Sequence, residues 1–147
     1  MKAKHKADTM VQARRLAPFC LCGARTALTY LQALTAEMDG VRQAEESECL
    51  RRLRVAARRL RSALPLFTVC LSRKTCDRWR KQLRRLTRAT EAARDTDVQL
   101  TFVQQVSETG ASDVERAGME RVLLRLQQRR RTLQELVVEA LDRFVAS

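Results

Sequence analysis

The segment RRLRVAARRLR, residues 51–61, repeats apolar side chains at the period of an α-helix. Leu53, Ala57 and Leu60 recur every three or four residues, so at about 100° per residue they share one face. A half-buried strand alternates with a period of two residues and does not produce this pattern. The segment therefore predicts an amphipathic helix whose apolar face joins a core.

A second arc of the same helix carries only arginine: Arg51, Arg54, Arg58 and Arg61. The acidic residues nearby, Glu45, Glu46 and Glu48, precede this stretch, and we expect no acidic partner at i+3 or i+4. Such a row repels itself unless an anion is near, and the planar guanidinium group suits phosphate. The row predicts a phosphorylated ligand, although a solvated face that covers apolar surface is the alternative.

The next helix, predicted to begin between Ser72 and Thr75, has the same two-sided pattern. One side is apolar and includes Trp79, which we expect in the core. The other side is basic and carries Lys74, Arg78, Lys81, Arg84, Arg85 and Arg88. For this row a solvated face is an equally good explanation, because Arg84 could pair with a carboxylate.

The remaining helices are predicted from periodicity and capping signals. The first runs from Thr9 to Met38, with Pro18 and Gly23 as bending points and Asp39-Gly40 as its end. Ser47 is the expected N-cap of the arginine helix. This helix is predicted to continue through Leu64, and Pro65 is expected to kink the chain there.

Two more helices complete the prediction. A helix capped by Asp95 or Thr96 leads to a turn at 107–112. Ser112 and Glu115 form a capping box that opens the last helix. The apolar stripe of that helix is Val114, Val122, Leu126, Leu133, Leu136, Val137, Leu141 and Phe144.

Four glycines and two prolines in 147 residues leave few breaks, which favours an all-α fold, an antiparallel helical bundle. We expect a single domain over residues 1–147, in which residues 1–8 form a basic tail. No membrane span is predicted, because charged residues interrupt the first apolar run. Lysine and arginine total 29 against 17 acids, a net charge of +12, which favours a polyanionic partner.

The five cysteines are odd in number and form no CxxC pair, so their spacing predicts neither a disulfide framework nor a zinc site. A reducing cytoplasm fits this pattern best, and Cys20 and Cys22 are read as small apolar filling.

The sequence offers little for catalysis. His5, the single histidine, lies in a lysine-rich segment, so we expect it to be solvated and see no catalytic constellation. No glycine-rich phosphate loop occurs, which argues against a nucleotide-hydrolysing enzyme. Asp95 and Asp97 are expected to cap a helix and pair with Arg94, since carboxylates beside arginines make a poor metal site. We predict no enzyme activity, no cofactor and no metal.

Two segments together resemble a known family: CLRRLRVAARRLRSALPLF and QLRRLTRATEAARDTDV are similar to the CHAD family of α-helical polyphosphate-binding domains. The family pattern is close to H-x-x-R-V-x-x-R-R-L-R, then L-R-W-L, then L-G-x-x-R-D-x-D-V. The matching residues are Arg54, Val55, Arg58, Arg59, Leu60, Arg61, Leu83, Arg84, Leu86, Arg94, Asp95, Asp97 and Val98. This chain has Arg51 in place of the histidine, Arg85 in place of the tryptophan and Glu91 in place of the glycine.

The resemblance covers roughly residues 8–146 and the first of the two helical halves usual in such domains. It implies noncovalent binding of inorganic polyphosphate in a basic channel between two halves. Either a homodimer completes that channel, or this chain is a partial or degenerate copy. We expect a cytoplasmic location, with association with polyphosphate granules. The expected polyphosphate-binding residues are Arg51, Arg54, Arg58, Arg59, Arg61, Lys81, Arg84, Arg85, Arg88 and Arg94.

Two other functions fit the same charge. A nucleic-acid-binding helical protein is one alternative, weakened by the 4% aromatic content, which leaves little for base stacking. An assembly protein whose basic surface docks an acidic partner is the other.

Overall fold

A computed structural model describes the backbone of residues 2–109 and 112–146 and the side chains of 16–109, 112 and 114–146. Every regular element within these ranges is helical, which confirms the all-α prediction. The elements are α1 (Lys2–Thr35), α2 (Met38–Gln43), α3 (Ser47–Ala63), a 3-10 helix (Leu64–Phe67), α4 (Arg73–Ala89), α5 (Glu91–Glu108) and α6 (Asp113–Val145). His5 and the other side chains of the predicted basic tail lie outside the described side chains.

Helix α3 lies at the centre of the core. Its predicted apolar face is confirmed, because Leu53, Ala57 and Leu60 are buried. Every other α-helix also contributes to this core. The contributing residues are Leu34 (α1), Val41 (α2), Leu83 and Leu86 (α4), Ala93 (α5), and Val137, Leu141 and Phe144 (α6). Trp79 packs against the core as predicted and meets Phe144 edge to face, with ring centroids 6.2 Å apart.

The predicted boundaries of the first helix are wrong at both ends. Helix α1 begins at Lys2 and ends at Thr35, and Pro18 lies inside it. Asp39-Gly40 does not end a helix but belongs to α2, which follows after a two-residue turn. The chain reverses at Ala44, whose φ of 52° places it in the left-handed region that ends a helix.

The ends of α3 and α4 follow local chemistry. Glu46, rather than the predicted Ser47, is the N-cap of α3, and Ser47 is its first residue. At the other end the α-helix stops at Ala63 and Pro65 enters a 3-10 turn, consistent with its missing N–H. Ser72 caps α4 within the predicted window, and its hydroxyl accepts a hydrogen bond of 3.1 Å from the Thr75 backbone N–H.

The predicted caps of α5 are also wrong. Helix α5 begins at Glu91, directly after Thr90, which ends α4, so Asp95 and Thr96 lie inside the helix. Thr96 is buried, and its hydroxyl donates to the Ala92 carbonyl at 2.8 Å. A threonine whose hydroxyl bonds to the carbonyl four residues earlier is satisfied inside a helix and does not have to cap one.

Asp97 fills a structural role that the sequence analysis missed. It is only 5% exposed, and its carboxylate pairs with Arg130 of α6 at 2.7 Å, not with Arg94. Arg130 also donates to Gln134, whose amide donates to the Val41 carbonyl, each at 2.8 Å. This network joins α5, α6 and the end of α2.

The predicted capping box of α6 is confirmed, because the Glu115 carboxylate accepts a 2.8 Å hydrogen bond from the Ser112 backbone N–H. The predicted apolar stripe is only partly covered. Val137, Leu141 and Phe144 are buried in the core, whereas Val114, Val122 and Leu136 are exposed.

The cysteine prediction is overturned. Cys20 of α1 forms a disulfide with Cys70, just after the 3-10 helix, with an S–S distance of 2.10 Å. Cys20 is therefore not simple apolar filling, and the cysteine pattern no longer favours a reducing compartment. Cys22 is exposed, which also contradicts its reading as filling, while Cys49 and Cys76 are buried thiols.

Close packing surrounds the disulfide. The Phe19 and Phe67 rings lie 5.2 Å apart, and a Cβ placed on Gly23 would lie 2.4 Å from the Phe67 ring. Gly23 therefore leaves room for the Phe67 ring to pack against α1. None of the helices described has an apolar stretch long enough to cross a membrane.

Candidate anion-binding groove

A groove of about 530 Å³ runs between α3 and α4. Six arginines line it: Arg54, Arg58 and Arg61 from α3, and Arg80, Arg84 and Arg88 from α4. Ser62, Pro65, Thr87 and Glu91 complete the lining. The groove thus collects cationic side chains that lie up to 34 residues apart in sequence.

The periodicity of the two helices explains why the arginines meet. Leu53 and Leu60 of α3 share one buried cluster with Leu83 and Leu86 of α4. Since the basic arc of each helix borders its apolar face, the two arcs converge beside the contact between the helices. The same seam that builds the core therefore builds the groove.

Four of the six arginines are available to a ligand. Within the described chain, Arg58, Arg61, Arg84 and Arg88 have no carboxylate at ion-pairing distance. Arg58, Arg84 and Arg88 are exposed, and Arg61 is half-buried. Four guanidinium groups without internal counterions make this a strongly positive surface.

Arg54 differs from its neighbours because it also supports the fold. Its guanidinium group donates to the Thr87 carbonyl and, at 3.0 Å, to the Thr90 hydroxyl, so it satisfies groups at the end of α4. Burial lowers the pKa of Arg54 and nearby Arg58 lowers it further, whereas Glu91 acts in the opposite direction. Arg54 therefore joins α3 to α4 and lines the groove at the same time.

The sequence analysis missed Arg80. Its guanidinium group has Nη1 3.7 Å from the Asp77 carboxylate, and its Nε is buried without a partner in the described structure. The four-residue spacing of Arg80, Arg84 and Arg88 was the signal that could have found it, because residues at i, i+4 and i+8 lie along one helix face.

The structure places Arg51 and Arg59 elsewhere. Both line a separate groove between α1 and α3. Arg51 forms an ion pair of 2.5 Å with Glu48, and this hydrogen-bonded partner is the main reason that the pKa of Glu48 is lowered. The expectation that this row has no acidic partner at helical spacing was wrong for Arg51, because α3 begins at Ser47 and places Glu48 three residues before Arg51 on the same helix.

The remaining predicted residues also lie outside the α3–α4 groove. Arg85 lines a third groove of about 690 Å³ beside Arg143 and Phe144 of α6. Lys81 is exposed and lines none of these three grooves. Arg94 is half-buried on α5 and lies near enough to lower the pKa of Arg54 without lining the groove.

Metal chemistry has no visible support in this part of the chain. Among the residues that the structure describes, no three histidine, cysteine, aspartate or glutamate side chains cluster in a way that could hold a metal ion. The groove lining offers arginine, hydroxyl and one carboxylate group, which suits an anion rather than a cation.

The helical fold and the converging arginines define a class of protein, an all-α domain with an arginine-lined groove. The family model of the CHAD domain matches residues 25–145, so this chain belongs to the CHAD family. That family is known in general for binding polyphosphate. Comparisons with curated proteins and with solved structures give no match.

Proposed function

We propose that this protein binds inorganic polyphosphate, or a similar linear polyanion, noncovalently in the groove between α3 and α4. The observation that supports this most is the convergence of six arginines from two helices, five of them without a carboxylate at ion-pairing distance in the described chain. Phosphoryl oxygens would accept hydrogen bonds from the guanidinium groups, and no bond in the ligand would be broken.

The spacing of the arginines suits an extended ligand. Successive turns of a helix are about 5.4 Å apart, so side chains on one arc can meet successive groups along a linear chain. Arg54, Arg58 and Arg61 follow one wall of the groove, and Arg80, Arg84 and Arg88 follow the other. A ligand lying along the groove would therefore meet cations on both sides.

Polyphosphate is favoured over nucleic acid by what the groove lacks. None of the residues lining it is aromatic, so there is no platform on which a base could stack. A ligand made only of phosphate needs no such platform, because guanidinium groups bind its oxygens directly.

The predicted residues outside the groove have a secondary part in this proposal. Arg51, Arg59, Lys81, Arg85 and Arg94 add to a net charge of +12, which attracts a polyanion before it docks. The expected location in the cytoplasm, at polyphosphate granules, stays a prediction, because a disulfide such as Cys20–Cys70 is more usual outside a reducing compartment. We also propose that two copies associate, so that a homodimer presents a longer basic surface to one ligand.

Matched pairs of substitutions test the groove. Arg58→Gln with Arg84→Gln removes two charges from the groove, one from each helix. Arg59→Gln with Arg85→Gln removes the same charge from the same helices but outside it. Binding of labelled polyphosphate should weaken at least about tenfold for the first pair, with a salt dependence lower by about one to two ion equivalents, and change little for the second.

Equal losses in the two double variants would contradict the proposal, because binding would then follow total charge rather than the groove. Displacement of polyphosphate by RNA at the same phosphate concentration would favour the nucleic-acid alternative. Weak binding to polyphosphate of every length would favour a basic surface for an acidic protein.

A further inference from the structure

The outer parts of α5 and α6 form an arm that has no core of its own. We define the arm as residues 98–109 of α5 and 113–129 of α6. No described residue in the arm is buried. Even the apolar residues on the sides where the two helices meet are only half-buried: Leu100, Val103, Leu123 and Leu126. Two helices form one layer, and a layer of this kind is stable when a second layer covers its apolar face.

One face of the arm is apolar and open. Phe102 is 64% exposed, and Val106 follows it one turn later on α5. On α6, Val114 is 84% exposed, and Val122 follows two turns later. The half-buried residues show which side of each helix faces the other helix. Given that orientation, the helix period places Val106 and Val122 on the same side of the arm. We call this side the arm face.

Gly118 lies in the middle of this face, between Val114 and Val122. A Cβ placed on Gly118 would meet no atom within 4 Å. Glycine inside a helix costs stability relative to alanine, and no contact in the described chain requires it there. A second helix could pack closely against α6 at this point, because Gly118 has no side chain to hold the two backbones apart.

The charges on the arm face are complementary between two antiparallel copies. Glu115, seven residues before Val122, lies near the tip of the arm. Arg125 and Arg129, three and seven residues after Val122, lie nearer the bundle on the same side of α6, and both are exposed. In an antiparallel crossing of two α6 helices about residue 120, Gly118 faces Val122 of the partner helix, and Glu115 faces Arg125.

We propose that the arm face binds the arm face of a second copy of this chain, antiparallel, so that four helices form one bundle. A second copy fits because a two-fold axis brings Glu115 of each chain to Arg125 of the other, so the same charge pair forms twice. The inference rests on the homodimer of the proposed function, to which it adds the surface.

Sedimentation equilibrium of the full chain tests the proposal. The wild-type protein should be a dimer at micromolar concentration, and Val122→Arg should make it a monomer with an unchanged helical circular dichroism spectrum. Leu124→Arg is the matched control, because Leu124 is 66% exposed on the opposite side of α6. That control should remain a dimer.

A charge exchange tests the direction of pairing. Glu115→Arg and Arg125→Glu should each weaken the dimer by about tenfold, and the variant with both changes should recover most of that loss. A wild-type monomer, equal effects of Val122→Arg and Leu124→Arg, or no recovery in the double variant would overturn the proposal. Polyphosphate titration of the same samples separates the outcomes, since a monomer that binds polyphosphate overturns the dimer and leaves the groove standing.

Discussion

At the scale of single residues, two arginines with the same charge have different tasks. Arg54 is tied to Thr87 and Thr90 at the end of α4, whereas Arg58, one turn later, has no partner in the described chain. Replacing Arg54 would disturb the fold and the groove together. Arg58 and Arg84 are therefore the cleaner positions at which to test binding.

The ion pair between Asp97 and Arg130 should be the most costly to break. Both side chains are largely buried, at 5% and 15% exposure, so Asp97→Ala would leave a buried guanidinium group without its partner. We expect a loss of about 3–5 kcal/mol in the free energy of unfolding, measured by urea denaturation.

The pair between Arg42 and Asp142 provides the control for Asp97→Ala. It has the same chemistry, at 2.6 Å, but Asp142 is exposed and Arg42 is only half-buried. Asp142→Asn should cost less than about 1 kcal/mol. Similar losses at Asp97 and Asp142 would show that the buried network does not hold α5, α6 and α2 together.

Single residues also show where sequence reasoning reaches its limit. The period of the arginines predicts Arg54, Arg58 and Arg61 on one side of a helix, because that depends on local geometry. Which carboxylate an arginine meets depends on neighbouring elements. Asp97 lies 33 residues from Arg130, and no local pattern joins them.

At the scale of elements, the apolar periodicity predicts the helices better than it predicts their ends. The start of α4 at Ser72 and the capping box of α6 follow from side chains that bond to nearby backbone groups. The start of α5 has no such signal, because α4 and α5 meet at Thr90 without glycine or proline. The disulfide joins α1 to a residue 50 positions away, and sequence spacing alone does not predict it.

The disulfide should contribute measurably to stability. A bond between Cys20 and Cys70 closes a loop of 50 residues, so it restricts the unfolded chain and should add about 2–4 kcal/mol to the free energy of unfolding. Urea denaturation of a variant with Cys20→Ser and Cys70→Ser should show this loss, and Cys22→Ser should not. Five reactive thiols in the denatured, unreduced protein would contradict the bond.

At the scale of the whole molecule, charge and fold are two results of one pattern. Amphipathic helices bury leucine on one side and leave arginine on the other, so packing α3 on α4 brings six arginines to one groove. Most of the net charge of +12 nevertheless lies outside this groove. Total charge alone therefore does not identify the site, and binding must be located residue by residue.

Nuclear magnetic resonance of the arginine Nε–H groups during titration with polyphosphate locates the binding most directly. The signals of Arg58, Arg61, Arg84 and Arg88 should shift first and most, because these side chains line the groove without an internal carboxylate partner. Those of Arg59 and Arg51 should change little. Equal shifts across all arginines, or larger shifts outside the groove, would contradict the assignment of polyphosphate to the surface between α3 and α4.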